Sequence, residues 1–292
     1  MTFPDILSQG FLGYYANHNL SGTTYAVVWG IGILLCLLTY FVGSLNFSII
    51  ISQNRFQDDI RNYGSGNAGT TNMLRTYGRR AAALTLGGDA LKAIVSCAFG
   101  YAMMGYLGAY IAGFFCILGH CFPIYYRFRG GKGIVTVAFM LLMLDPVIFV
   151  ILFFVFFALV IATKMVSFGS VICVMLFPLI LFRLRGPGEP IIFAMLITIL
   201  VVFMHRENIM RIFHGQESKI DFAKLFGKKK EEELIEEPAE EETPEESEEE
   251  YEEEIAETPA APARKKPQAI SNAKKKRLKK QRDNERRRSA KH

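Results

Sequence analysis

Between about Tyr25 and Met204 the chain is strongly apolar, with charge confined to short stretches, and no other feature limits its fold so tightly. A helix needs about 20 apolar residues to cross the hydrocarbon core of a bilayer. The apolar region is far longer than that and repeatedly interrupted, so it crosses several times. It contains no polar insert long enough to fold as a water-soluble domain. The expected fold class is therefore all-α, a polytopic membrane protein with about seven transmembrane helices.

The hydropathy pattern places spans at roughly 25–45, 81–104, 106–126, 133–144, 146–163, 167–183 and 189–204. The fourth is short, and is read as tilted, broken or merged with the fifth. Lys and Arg set the orientation, since cytoplasmic loops carry them in excess. Residues 1–25 have neither, which puts the N-terminus outside. Arg55, Arg61, Arg75, Arg79 and Arg80 mark the next loop as cytoplasmic. Arg127, Arg129 and Lys132 mark another, as do Lys164, Arg206 and Arg211. Asp145 stands alone on the outer side. Arg183 and Arg185 also fall there and run against the scheme.

The chain divides into three regions: an extracytoplasmic extension (1–24), a membrane domain (25–217) and a charged cytoplasmic tail (218–292). The tail opens with Lys228, Lys229 and Lys230, becomes glutamate-dominated to about Glu257, and ends rich in Lys and Arg. Like-charge runs of low hydrophobicity do not offset the entropy of ordering, so disorder is expected. The formal charge of +5 is the residue of these opposed blocks and says little about partners. The basic end can contact anionic lipid or RNA by charge alone; the plainer reading is a solvated tail, and no DNA partner is expected. The five cysteines, Cys36, Cys97, Cys116, Cys121 and Cys173, sit in or beside apolar stretches and read as buried thiols. No pair has metal-ligand spacing and no acidic cluster suits a metal, so neither metal nor cofactor is expected.

The polar residues of the membrane domain gather in short clusters. Gly64-Ser65-Gly66-Asn67-Ala68-Gly69-Thr70-Thr71-Asn72 is small, polar and glycine-rich. Such a loop can turn successive backbone N–H groups onto an anion, and Arg75 can add a charged contact to phosphate. The glycine spacing matches a dinucleotide fingerprint, but the flanking strand that the fingerprint requires is absent from this pattern. Arg127-Phe128-Arg129-Gly130-Gly131-Lys132-Gly133 is a second basic, glycine-rich segment, read as another anion cradle or as a loop that only sets topology. His120, just before it, reads as structural. Asp89 and Lys92, spaced to share one helix face, lie inside a span; function and structural neutralisation both remain open for them. His205 and Asn208 come just after the last span, where a histidine can serve as a general base. Glu207 and Arg211 read as a helix-supporting pair. Ser167 and Ser170 open the sixth span on the same side and by themselves read as caps. These clusters meet at one membrane face, and no activated Ser or Cys nucleophile accompanies them. The implied chemistry is transfer between phosphate-bearing molecules, one of them delivering something to the lipid phase.

Gly64 through Arg75, then Gly88-Asp89-Ala90-Leu91-Lys92, then Gly119-His120-Cys121-Phe122-Pro123 through Gly133, then His205-Arg206-Glu207-Asn208-Ile209, resemble in order the motifs of bacterial acyl-phosphate:glycerol-3-phosphate acyltransferases. The resemblance spans about residues 40–217. It implies an inner-membrane enzyme of seven spans that moves the acyl group of an acyl-phosphate to the 1-hydroxyl of glycerol 3-phosphate, giving lysophosphatidic acid. It implies catalytic roles for Ser65, Arg75, His205 and Asn208. It implies substrate or phosphate binding by Gly66, Asn67, Gly69, Thr71, Asn72, Lys92, Gly130, Gly131, Lys132 and Ser167. Phe168 and Ala93 depart from the family's usual leucine and glycine, which touches local packing more than chemistry.

An acyl-phosphate is already activated, so an enzyme has chiefly to hold two anions and align a hydroxyl with a carbonyl. Direct transfer without an acyl-enzyme is expected, with either His205 or a substrate phosphate taking the hydroxyl proton. The rival readings are a transporter of a phosphate-bearing solute, which also places charges in spans, and a scaffold acting through its tail.

Overall fold

The computed structural model describes Gly10 and residues 22–220. The N-terminal extension and the charged tail beyond these limits lie outside the described residues. The described chain is helical throughout, with α1 (Gly22–Gly43), α2 (Phe47–Phe56), α3 (Thr70–Cys121), α4 (Ile134–Leu144), α5 (Pro146–Thr163), α6 (Val166–Arg185), α7 (Pro190–Met204) and α8 (Arg206–Phe213). Single 3-10 turns occupy Ile60–Asn62 and Ile124–Tyr126. Four of the described helices are long and apolar enough to cross a membrane, or five if the bent pair α7–α8 counts as one span. The 11-residue α4 is shorter than a span needs.

The sequence pattern places two spans where the backbone hydrogen bonding runs as one 52-residue helix. The discrepancy is resolved at Met104 and Gly105, whose dihedrals are not helical. Gly105 has φ +63, a conformation that strains any residue with a Cβ. The chain doubles back there, and Gly100 and Gly108 meet so closely that a Cβ on Gly100 would lie 2.3 Å from the Gly108 carbonyl oxygen. The two halves of α3 thus pack as a helical hairpin. A second break, at Gly78 with φ +86, separates the polar first turns of α3 from the apolar part.

Small residues also let α1 cross the second half of α3. A Cβ on Gly43 would lie 2.1 Å from the Cys116 carbonyl, and one on Gly119 would lie 2.2 Å from that of Tyr40. Close backbone approach of this kind is how helices associate where no hydrophobic effect drives them together. The buried core is built from α3, α4, α5, α6 and α7, with Tyr110, Ile117, Met140, Phe177, Ile197 and Val201 at its centre. Many other large apolar side chains point outward: Trp29 is 71% exposed and Phe154 68%. An outward apolar surface of this size is stable against lipid, not water.

Asp145, at the α4–α5 corner, is 1% exposed. It accepts hydrogen bonds from Tyr106, from Tyr110 at 2.6 Å and from Arg185 Nε at 2.9 Å. One end of the bundle is thereby latched, and one of the two arginines that ran against the charge pattern, Arg185, has its counter-ion. The stretch between the first two spans, read from sequence as loop, contains α2, which Asn46 caps by accepting from Ile49 N.

Candidate functional site

The opposite end of the bundle collects the polar motifs, through the chain ends of α1, α3, α5, α6 and α7. In the first glycine-rich loop the organiser is Asn72, which is 2% exposed. Its Nδ2 donates to the carbonyls of Tyr63 (2.9 Å), Asn67 (3.0 Å) and Ile60 (3.3 Å), and its Oδ1 accepts from Ser65 N at 3.1 Å. One amide thus satisfies four backbone groups. Asn72 is spent on holding the loop, not presented to a ligand. Gly66 N donates to the Tyr63 carbonyl and Gly69 N to that of Asn67, so those amides are occupied as well. Gly64 (φ +57) and Gly66 (φ +70) supply the left-handed turns. What remains open is the Ser65 hydroxyl, the exposed side chain of Thr71 and the start of α3.

The second glycine segment behaves alike. Gly130 N donates to the Cys121 carbonyl and Gly131 N to the His120 carbonyl, both at 3.1 Å. These amides close the C-terminus of α3 rather than converge on an anion. The glycines are needed for closeness: a Cβ on Gly130 would sit 2.1 Å from the His120 carbonyl oxygen, and one on Gly131 would sit 2.5 Å from that of Ala68. The two loops therefore touch, and their contact fixes the position of the next residue, Lys132.

Behind this contact lies the buried charge of α3. Lys92 Nζ pairs with Asp89 Oδ1 at 2.8 Å and donates to the carbonyls of Gly43 (3.1 Å) and Leu45 (2.9 Å) and to His120 Nδ1 (2.9 Å). Lys92 is 4% exposed. The expected Asp89–Lys92 pairing is present, and it ties the end of α1 to the hairpin. None of these partners lies in either glycine-rich loop.

Lys132 reaches the last motif. Its Nζ donates to Asn208 Oδ1. Asn208 Nδ2 donates to Ser167 Oγ at 2.8 Å and to Glu217 Oε1 at 2.7 Å. Burial pushes the Lys132 ammonium down to about 8; Arg211 and Arg75 act in the same sense, and Glu217 and Glu207 oppose them. Arg75 thus stands close enough for its charge to be felt, while its side chain stays exposed. His205 is 3% exposed and its Nδ1 lies 2.8 Å from the Val201 carbonyl. A carbonyl only accepts, so Nδ1 carries the proton and Nε2 is the acceptor nitrogen. Burial holds His205 at about 4, well below an ordinary imidazole, so it is neutral at physiological pH.

Of the residues singled out from sequence, Lys132, Asn208 and Ser167 are joined by hydrogen bonds, Arg75 and His205 stand near enough for charge to couple them to Lys132, and Ser65, Gly66, Asn67, Gly69 and Thr71 belong to the loop that touches Gly131. Asn72, Gly130 and Gly131 shape that cluster from behind, and Lys92 lies deeper still. Arg211 departs from expectation: it pairs with Glu217 Oε2 at 3.0 Å rather than with the exposed Glu207. Sequence reasoning misses Glu217 altogether. It is an isolated carboxylate beyond the last helix, and nothing local in its sequence signals burial.

Residues 33–215 match the family model described as glycerol-3-phosphate acyltransferase. The chain is 40% identical over 189 residues to the glycerol-3-phosphate acyltransferase of Finegoldia magna, a match covering 64% of this chain and 96% of that protein. It is 37% identical over 205 residues to the one of Clostridioides difficile, covering 68% and 97%. A crystal structure of PlsY (YgiH), an integral membrane glycerol 3-phosphate acyltransferase in its glycerol 3-phosphate form, superposes with a TM-score of 0.64 at 28% identity. That superposition covers 68% of this chain and 99% of that one.

Proposed function

The chain belongs to the glycerol-3-phosphate acyltransferase family, and from this premise we infer that it transfers the acyl group of an acyl-phosphate to the 1-hydroxyl of glycerol 3-phosphate, giving lysophosphatidic acid. It is a multi-pass protein of the bacterial inner membrane. The rival transporter reading draws no support from this kinship.

We assign the reaction to the cluster of Arg75, Lys132, Ser167, His205 and Asn208. The observation that supports this most is the hydrogen-bonded run Lys132–Asn208–Ser167, which joins the α3–α4 loop to α8 and α6. The cations Arg75 and Lys132 offset the mutual repulsion of two phosphate-bearing substrates and stabilise the departing phosphate. Ser65 and Thr71 offer hydroxyl donors beside them. His205, buried and neutral, helps to wall the pocket that positions the attacking hydroxyl, whose proton points to a substrate phosphate. The oxygen of that hydroxyl bonds to the acyl carbon, the acyl–phosphate bond breaks, and phosphate leaves. With an imidazole near 4, a substrate phosphate is the stronger base, since phosphate monoesters lose their second proton near a pKa of about 6. The hydroxyl proton therefore passes to phosphate, and the protein acts as an electrostatic template.

Counting both halves of the α3 hairpin, the short α4, and α1, α5, α6 and α7 as spans gives seven, with the N-terminus outside and the site on the cytoplasmic side. The Asp145–Arg185 pair supports this orientation, because it removes the charge of one arginine on the outer side. The test is synthesis of labelled lysophosphatidic acid by purified protein given acyl-phosphate and labelled glycerol 3-phosphate, with Arg75→Ala and Lys132→Ala alongside. Product from the wild type and little from the variants is expected. No product from folded wild type, with acyl-phosphate or with acyl-CoA, would overturn the reading.

A further inference from the structure

Glu217 lies beyond α8 in a short strap that returns to the bundle. Gly215 turns the chain with φ +68, Gln216 N donates to the Arg211 carbonyl at 2.8 Å, and Ile220 N donates to the Lys164 carbonyl at 2.7 Å. The strap is pinned at both ends, to α8 on one side and the α5–α6 corner on the other. Between these pins the Glu217 side chain turns inward, 5% exposed. Its Oε1 accepts from Ser167 Oγ at 2.6 Å and Asn208 Nδ2 at 2.7 Å, and its Oε2 accepts from Arg211 Nε at 3.0 Å.

We propose that Glu217 is a positioning residue for the acyl transfer, fixing the orientation of the Asn208 side-chain amide and through it the place of the Lys132 ammonium. An ionised carboxylate accepts hydrogen bonds and donates none. Set against Asn208, it holds the amide nitrogen toward itself and so turns the carbonyl toward Lys132. The reversed amide would oppose oxygen to oxygen at Glu217 and nitrogen to nitrogen at Lys132, losing both bonds and gaining two repulsions. Ser167 is locked by the same carboxylate: its proton goes to Glu217, and its oxygen accepts from Asn208. Arg211 holds the second carboxylate oxygen, which stops Glu217 from swinging out. Burial alone would push the Glu217 carboxyl up, but the bonds from Ser167, Asn208 and Arg211 together hold it below its ordinary value, so the acceptor-only form persists at neutral pH.

The proposal rests on the assignment of Lys132 to the substrate site. Full-length wild type, Glu217→Gln, Asn208→Ala and the double variant are compared for KM and kcat, with thermal unfolding in detergent measured for each. Glu217→Gln presents a group that can donate as well as accept, so the amide is no longer held one way. Its expected effect is a loss in kcat/KM for glycerol 3-phosphate of about 10- to 100-fold, the range seen when a partner behind a ligating group is removed. The loss falls mainly in KM for glycerol 3-phosphate, with unfolding unchanged. Because the effect passes through Asn208, the double variant should be no worse than Asn208→Ala alone. Glu217→Asp, which keeps the acceptor-only group, should recover part of the loss, and takes the place of Glu217→Gln in the cycle if the latter fails to fold. Wild-type kinetics in Glu217→Gln, or losses that multiply in the double variant, would overturn the proposal. A wild type without product would instead remove the reading on which it rests.

Discussion

The Gly131 N–H donates to the carbonyl of His120 at 3.1 Å, and a methyl group on Gly131 would lie 2.2 Å from His120 Nε2. The backbone bearing Lys132 is therefore laid directly on the end of α3, with no room for a side chain between. Gly131→Ala should force the segment outward. Overpacking of this kind costs about 1–3 kcal/mol, read as earlier thermal unfolding, and activity should fall further than stability because Lys132 is displaced. A variant with wild-type unfolding and wild-type turnover would show that the contact yields easily.

The depressed Lys132 gives a pH signature. Its charged form is the one that binds anions, and burial brings its loss of charge to about 8. The value of kcat/KM should fall as pH rises through it. Lys132→Arg should move the fall beyond the measurable range, because arginine stays charged. Lys132→Ala should lose activity by about 10²–10³-fold, as for other preorganised electrostatic contacts. A pH profile of kcat/KM for the three proteins decides this.

His205 is neutral across the working range, and the acidic limb of the same profile should show no imidazole near its ordinary value of about 6.5. With a substrate phosphate as the proposed base, His205→Ala should lower kcat while leaving that limb in place. A limb that disappears with the histidine would instead assign the proton to the ring.

Lys92 and Asp89 form a buried pair that braces α1, the α3 hairpin and His120. Lys92→Met strands a carboxylate in the core, and breaking one partner of such a pair costs about 3–5 kcal/mol. The double replacement Asp89→Asn with Lys92→Met should be markedly less damaging. Thermal unfolding of the three proteins in detergent tests the coupling, and equal damage in single and double variants would refute it.

The F. magna relative is matched over 96% of its own length by 64% of this chain, so a large part of this chain has no counterpart there. Removing residues after Phe226 should leave turnover of purified protein unchanged, since an acidic block followed by a basic one has too little apolar surface to be expected to pack. Loss of synthesis in detergent on truncation would make the tail part of the enzyme.

Sequence alone determined what depends on local pattern. Apolar runs gave the helices α4, α5, α6 and α7 nearly to their ends, because hydropathy is a property of each segment by itself. Lys132, Arg75, His205 and Asn208 were visible because polar residues beside membrane spans are costly enough to stand out. Tertiary structure decided what those groups do. Lys132 meets Asn208 across 76 residues, Ser167 meets Glu217 across 50, and Lys92 meets His120 across 28. No periodicity records such pairings. The same chemistry also reads two ways in a string of letters: a glycine-rich amide run fits an anion cradle or a close backbone contact. At Gly130 and Gly131 only the fold showed that the amides are already bonded and that the glycines serve closeness. Glu217 stayed hidden for the same reason, since a carboxylate beyond the last helix looks solvated until the strap folds it between Ser167, Asn208 and Arg211.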